Sequence, residues 1–323
     1  EAKAEEAVAK ASAKGPNENY ARELMELHTL GVDRVYRQDD VVAVAEALTG
    51  WTVNRGSRQK PGDFSFRFDS RWHESGVKTL FDEPLPEVDP STPAQGEYIL
   101  DLLAEHKSTG DFLARKLVRY LVSDHPPEHI VQDVAETFAQ SKGDLTQMVL
   151  AVIEHPDFYS TEYFGAKVKT PWEFVVSSLR VTSAQVRDPR LLFRALTEMG
   201  QPLYGCDVPT GWPEVGEAWL DPGAMAYRWN FATRLTTGKM RGVTIPPQFY
   251  GQVIHETVPE DWAERLAQRM VPAGLEPSTK ESLQQVLQTY LASKKVRNRG
   301  PKPKDVLPEL VALILGSPEF QRQ

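Results

Sequence analysis

Apolar residues in this chain recur mostly at helical spacing, and the first such stretch carries an acid in its apolar arc. In Pro16-Asn17-Glu18-Asn19-Tyr20-Ala21-Arg22-Glu23-Leu24-Met25-Glu26-Leu27-His28, an advance of about 100° per residue puts Tyr20, Leu24, Leu27 and Leu30 on one side. Glu23 then projects between Leu27 and Leu30. Asn17 can cap the first turn, Gly31 can end the helix in a left-handed conformation, and Arg22 and Glu26 form an ordinary surface pair. A second helix, capped by Asp39 or Asp40, carries Val41, Val44, Ala45 and Leu48 and stops at Gly50-Trp51. The pattern predicts a helical hairpin with a buried carboxylate at Glu23.

From Thr52 to about Pro93 the chain is rich in glycine, proline and charge, and the alternation of Phe64, Phe66 and Phe68 predicts one short strand in a small hairpin. A loop of this length is usually functional or disordered. Its Trp72, His73, Gly76 and Lys78-Thr79 favour order, with the phenylalanines inward and His73 or Lys78 packed towards the first helix. Helical spacing then predicts segments near 96–106, 110–123, 128–140, 145–154, 171–186, 190–199, 223–236, 260–270, 279–293 and 305–315. Thr170-Pro171-Trp172-Glu173 has the form of a capping box, and Gly200 to Pro222 reads as a structured, aromatic-rich loop. Leu145–Phe158 and Leu307–Phe320 echo one another as apolar helices ended by proline, an acid and phenylalanine, a shared helix-ending device. The fold class expected is mainly α: a compact multi-helix body with a small β-containing insertion near residues 60–80. Residues 1–16 read as a leader or linker and 17–323 as a helical domain with lobes 17–160 and 161–323.

Composition changes this picture little. With 323 residues, 41% hydrophobic and 25% charged, the chain can bury a substantial core. A net charge of −8 excludes broad nucleic-acid binding, and the basic run from Lys294 to Lys304 has no aromatic interleaving and reads as a solvated linker. Cys206 alone allows no internal disulfide, and no stretch approaches the roughly 18 apolar residues of a membrane span. No targeting signal is present. The chain opens on Glu1-Ala2-Lys3 without methionine, as a processed or partial chain would, so that absence does not speak for the cytoplasm.

No phosphate-binding loop, dinucleotide glycine turn, hydrolase elbow or zincin helix occurs. What remains is dispersed: Glu23, His28 and His73 are the catalytic candidates, since carboxylate and imidazole can perform acid–base work or ligate a divalent metal. His28 lies five residues after Glu23 and well round the helix, so the two are poor co-ligands. The expectation is therefore no metal and no cofactor, with a divalent metal kept as the alternative. A buried Glu23 needs a partner, and an ion pair with Lys78, Lys169 or Arg180 is the simplest one. Tyr204 and Trp212 could offer a platform to a sugar or peptide, whereas Trp219 reads as a plug between helices.

Several of these segments together resemble the bacterial Domain of Unknown Function 1800 family. They are Pro16 through Val32, Ala47-Leu48-Thr49-Gly50-Trp51, His73 to Thr79, Ala114-Arg115-Lys116-Leu117, Lys169 through Ser177, Met199-Gly200-Gln201-Pro202, Pro209-Thr210-Gly211-Trp212-Pro213 and Ser317-Pro318-Glu319-Phe320. The resemblance implies further sequence before Glu1, which could complete a site, and an extracytoplasmic setting. It also implies a protein partner, since such genes often neighbour one for an exported protein related to sulfatases and phosphatases. Where members commonly have His-Asp before glycine, this chain has His73-Glu74-Ser75-Gly76, which weakens any role for that aspartate. Two functions follow as expectations: a non-catalytic exported scaffold or assembly partner, or a metal-assisted or carboxylate/histidine-dependent hydrolase of an extracellular polymer such as a polysaccharide. The residues leave open whether the protein is an enzyme.

Overall fold

The predicted hairpin forms, but its first arm changes pitch halfway. In the computed structural model, which describes residues 15–32, 35–56, 62–254, 258–296 and 302–323, α1 (Glu18–Glu23) is capped by the Asn17 side chain, which accepts from Tyr20 N at 3.2 Å. It then continues as a π turn, Leu24–His28, where the Thr29 hydroxyl donates to Leu24 O at 2.9 Å and Gly31 N, at φ +87°, donates to Met25 O at 3.1 Å. A π turn bonds i to i+5 and widens the helix, so an α-helical projection fails beyond Glu23. The side chains turned inward are Ala21, Met25 and Leu30; Tyr20 is exposed and Glu23 only half-buried. The second arm, α2 (Gln38–Ala47), starts at Arg37 rather than at Asp39 or Asp40. The buried acid of the hairpin is Asp40, 4% exposed, whose carboxylate accepts from Arg37 N and Phe81 N, each at 2.7 Å. These two amide donors give the buried carboxylate its hydrogen bonds, with the Arg37 charge also near enough to act on it.

The chain divides into two units, one running to Leu121 and resuming at His125–Phe158, the other made of Val122–Asp124 and Tyr159–Gln323. In the first, β1 (Trp51–Val53) pairs antiparallel with β2 (Phe66–Phe68) in the register Trp51↔Phe68, Thr52↔Arg67, Val53↔Phe66, and β3 (Thr79–Leu80) pairs with β4 (Glu83–Pro84). Phe64 and Phe66 are exposed, against the inward expectation, because a two-stranded ribbon has one face to bury and that face is short. Among the described residues four further helices belong to it: α3 (Ala94–Glu105), α4 (Lys107–Leu121), α5 (Glu128–Ser141) and α6 (Leu145–Ile153). Its core joins Met25, Leu30, Val41 and Val44 of the hairpin to Leu80, Ile99 and Leu103. Trp51 lies so close over Gly96 of α3 that a Cβ there would sit 2.7 Å from the indole.

In the second unit α7 (Pro171–Val181) begins with the predicted capping box, Glu173 N donating to Thr170 Oγ1 and Thr170 N to Glu173 Oε2. It stops short of 186 because Ser183 takes φ +53° and β5 (Gln185–Val186) pairs with β6 (Val243–Thr244). There follow α8 (Arg190–Glu198), α9 (Pro222–Thr236), α10 (Pro247–Ile254), α11 (Trp262–Met270), α12 (Pro277–Val296) and α13 (Pro303–Leu315). Leu196, Leu235, Leu266, Leu287, Leu307 and Ile314 share one core. Val122–Asp124 belongs here because the Asp124 carboxylate accepts from Lys167 Nζ and, at 2.7 Å, from Gly216 N. The fold is mainly α, as expected. The expected leader lies outside the described residues up to 14, as does 297–301 of the basic run. No helix among the described residues is long and apolar enough to cross a membrane.

Candidate functional site

Where α2 ends, the chain folds a polar cleft of about 610 Å³, lined by Pro16, Asn17, Thr49–Thr52, Arg67, Asp69 and Arg71–Glu74. Gly50 makes it buildable. At φ +81° it turns the chain out of the helix, and a Cβ there would lie 2.8 Å from the Phe68 ring and 3.3 Å from His73 Cβ. The strand partner and the histidine can therefore approach only a glycine. Gly50 O also accepts from Asp69 N at 2.9 Å, which fixes the start of the Ser70–Trp72 turn.

His73 is held by the residue before that glycine. The Thr49 hydroxyl donates to Glu46 O and accepts from Glu74 N at 2.8 Å, so its own hydrogen is spent, and His73 Nδ1, 3.0 Å from Thr49 O, must be the donor to that carbonyl. The network thus assigns the Nδ1–H tautomer and leaves the lone pair on Nε2. Beside it the Asp69 carboxylate, whose side chain is 10% exposed, takes Arg71 Nε at 2.9 Å and Nη2 at 2.7 Å, with Arg67 Nη2 at 3.3 Å. The hydrogen bonds from Arg71 hold the Asp69 carboxyl at about 2, well below its ordinary range. Asp69 therefore carries no proton near neutral pH. Trp72, 42% exposed, lines the same cleft.

Of the residues singled out from the sequence, the structure gives only His73 to this cleft. Glu23 is half-buried on the flank of α1 and pairs with no basic side chain among the described residues, and His28 is exposed at the end of the π turn. The ion pairs expected for Glu23 with Lys78, Lys169 or Arg180 are not made, because the wider π turn swings it off the apolar arc. Lys78 is buried and donates to Glu74 O at 2.6 Å, burial lowering its pKa. Lys169 and Arg180 lie in the second unit, Arg180 in the last turn of α7. Tyr204 is fully exposed at φ +55°, while Trp212 is half-buried, its ring 6.1 Å from that of Trp219. Trp219 is buried and donates to Pro213 O at 3.2 Å, the plug rather than the platform.

The second unit holds a different kind of polar group. Arg228 of α9 is 0% exposed, donating to Gln321 Oε1 at 2.7 Å and Lys169 O at 2.8 Å, with its guanidinium 5.3 Å from the Phe174 ring centroid. Lys169 donates to Phe320 O at 2.7 Å and lies 4.2 Å from that ring's centroid. Burial lowers Lys169 to about 8 and Arg228 to about 10, the nearby Glu173 opposing both shifts. Sequence reading found Lys169 but not Arg228, which looks like any arginine on a helix until Lys169 and Gln321 arrive from far along the chain.

A third grouping was missed altogether: His129, His155 and Asp157 of the first unit bring potential ligand atoms within 4.8 Å of one another. Its signal was the four-residue step from His129 to Asp133 followed by His155-Pro156-Asp157 after the next helix.

Residues 8–322 match a family model described as "Protein of unknown function (DUF1800)". No curated protein and no solved structure matches the chain.

Proposed function

Since the chain belongs to the DUF1800 family over nearly its whole length, we propose that it is a non-catalytic recognition component of an extracytoplasmic assembly, with the Thr49–His73 cleft as its binding site. The observation that carries this is the state of the cleft's charges. Asp69 is fully ionised and shared between two arginines, so it can orient them but cannot deliver a proton. Arg67 and Arg71 stay exposed enough to fork onto an incoming carboxylate, and Trp72 adds an apolar face beside them. That combination suits an extended segment of another exported protein carrying an acid next to an apolar side chain, the sulfatase- and phosphatase-related neighbour being the partner to try. Biolayer interferometry with that neighbour should show binding that Trp72→Ala and Arg71→Ala each weaken at least tenfold without changing the circular dichroism. Absence of any complex, or binding of both variants as tight as the parent's, would refute the reading.

One observation favours the second reading, a hydrolase of an extracellular polymer. His73 Nε2 keeps its lone pair, and Glu74 lines the same cleft. Release of reducing ends from a polysaccharide panel, abolished in His73→Ala but not in Trp72→Ala, would replace the scaffold by the enzyme.

A further inference from the structure

The strongest unassigned chemistry lies at the end of α6 and on the exposed side of α5. His129 and Asp133 are one turn apart on α5; His155 and Asp157 flank Pro156 after α6. Chain geometry alone would not bring two imidazoles and two carboxylates together here, since the hydrogen-bonded pairs are 28 and 22 residues apart: His129 Nε2 to Asp157 Oδ2 at 2.9 Å, and His155 Nε2 to Asp133 Oδ2 at 3.2 Å. The two imidazole centroids are 5.6 Å apart.

The hydrogen bonds also assign the tautomer that matters. Asp157 N donates to His155 Nδ1 at 3.1 Å, so the proton of that ring sits on Nε2 and goes to Asp133. This is the carboxylate–histidine arrangement that orients metal-bound imidazoles, with the lone pair on the opposite ring nitrogen. His155, its side chain 9% exposed, is the fixed member, whereas His129 and Asp157, at 54% and 48%, are free to swing. The ligand atoms, now all within 4.8 Å of one another, would need to close by roughly 1.5 Å to meet about 2.0–2.1 Å from one ion.

We propose that His129, His155 and Asp157 form a binding site for a divalent transition-metal ion, zinc being the best match, with Asp133 as the positioning carboxylate behind His155. Two imidazoles and one carboxylate select such ions over calcium and magnesium, which prefer oxygen. Three protein ligands leave a fourth position to water. The ion replaces the hydrogen bond between His129 Nε2 and Asp157, the neutral His129 ring then carrying its one proton on Nδ1, and Asp157 N–H turns to solvent as His155 Nδ1 changes partner. The site is independent of the cleft and of the scaffold reading.

The test uses the full chain, free of any polyhistidine tag and stripped with chelator. Isothermal titration with zinc chloride at pH 7.5 should give one saturable equivalent, and cobalt(II) should develop the absorption of a low-coordinate site that zinc quenches. His129→Ala and Asp157→Asn, both at exposed positions, should each weaken zinc at least tenfold with unchanged circular dichroism. Asp133→Asn should weaken it about 10- to 100-fold while keeping the stoichiometry. The proposal is overturned if no single-equivalent binding is seen, if His129→Ala and Asp157→Asn bind as the parent does, or if magnesium competes equally. The cluster would then be a set of hydrogen bonds that end α6.

Discussion

The cleft of the first unit and the Arg228 network of the second handle charge in opposite ways. At the cleft, Asp69 is matched by Arg67 and Arg71, and both arginines remain largely in solvent. In the second unit Arg228 and Lys169 are drawn into the protein on amide and carbonyl oxygens, with Glu173 nearby to offset them. A surface pair contributes little to stability and stays available to a ligand; a buried cation such as Arg228, held by neutral acceptors at Nη1 and Nη2 with its Nε unpartnered, is costly to form and more costly to disturb. The first arrangement leaves its charges open to a ligand, and the second holds elements of the fold together.

Breaking the buried side should have the largest effect. Arg228→Ala removes a fully buried side chain and strands Gln321 Oε1 and Lys169 O without their donor, and should cost about 3–5 kcal/mol in denaturant unfolding. A cost below about 1 kcal/mol would mean that water replaces the guanidinium and that the contrast is false.

Lys169 sharpens the comparison through pH. Its folded pKa of about 8 lies below the ordinary lysine value of 10.5, so between those values the unfolded chain binds more protons and stability must rise with pH. Below pH 8 the penalty for the charged form is present in full; above about 10.5 it is gone. Relative to Lys169→Met, the parent should gain about 1–2 kcal/mol across that window, reduced from the full linkage value because the ammonium is partly solvated. Parallel stability curves for the two proteins would show an ordinary lysine.

The smallest effect belongs to the cleft. Arg71→Ala should leave the unfolding midpoint nearly unchanged, since Arg67 still faces Asp69 and both arginines are exposed. Thermal unfolding of this variant beside Arg228→Ala gives the comparison in one experiment, and equal destabilisation would erase the distinction.

How much of this could be read from the residues depended on how far each interaction reaches along the chain. The capping box at Thr170–Glu173 is complete within four residues, and it was legible and is present. Helix α10 was not foreseen, because Pro246-Pro247 and Gly251 read as loop and only Phe249 and Val253 mark its buried side. The π turn defeated a fixed angular step, which moved the buried acid from Glu23 to Asp40. No periodicity encodes that Asp40 would meet the amide of Phe81, 41 residues on. Likewise His73 was visible as a loop histidine, but the carbonyl of Thr49 that sets its tautomer was not.

Asp124 gives the molecule an unusual grammar. The chain enters the second unit for Val122–Asp124, returns to the first for His125–Phe158, and only then supplies the remainder. During synthesis Asp124 emerges 43 residues before Lys167 and 92 before Gly216, so an early phrase waits for its completion until the later one is well under way. One cut at 158/159 therefore cannot yield two whole parts: a fragment starting at Tyr159 would carry a buried ammonium with no counter-ion and an amide with no acceptor. Any dissection of this protein has to treat three residues in the middle of one part as the opening words of the other.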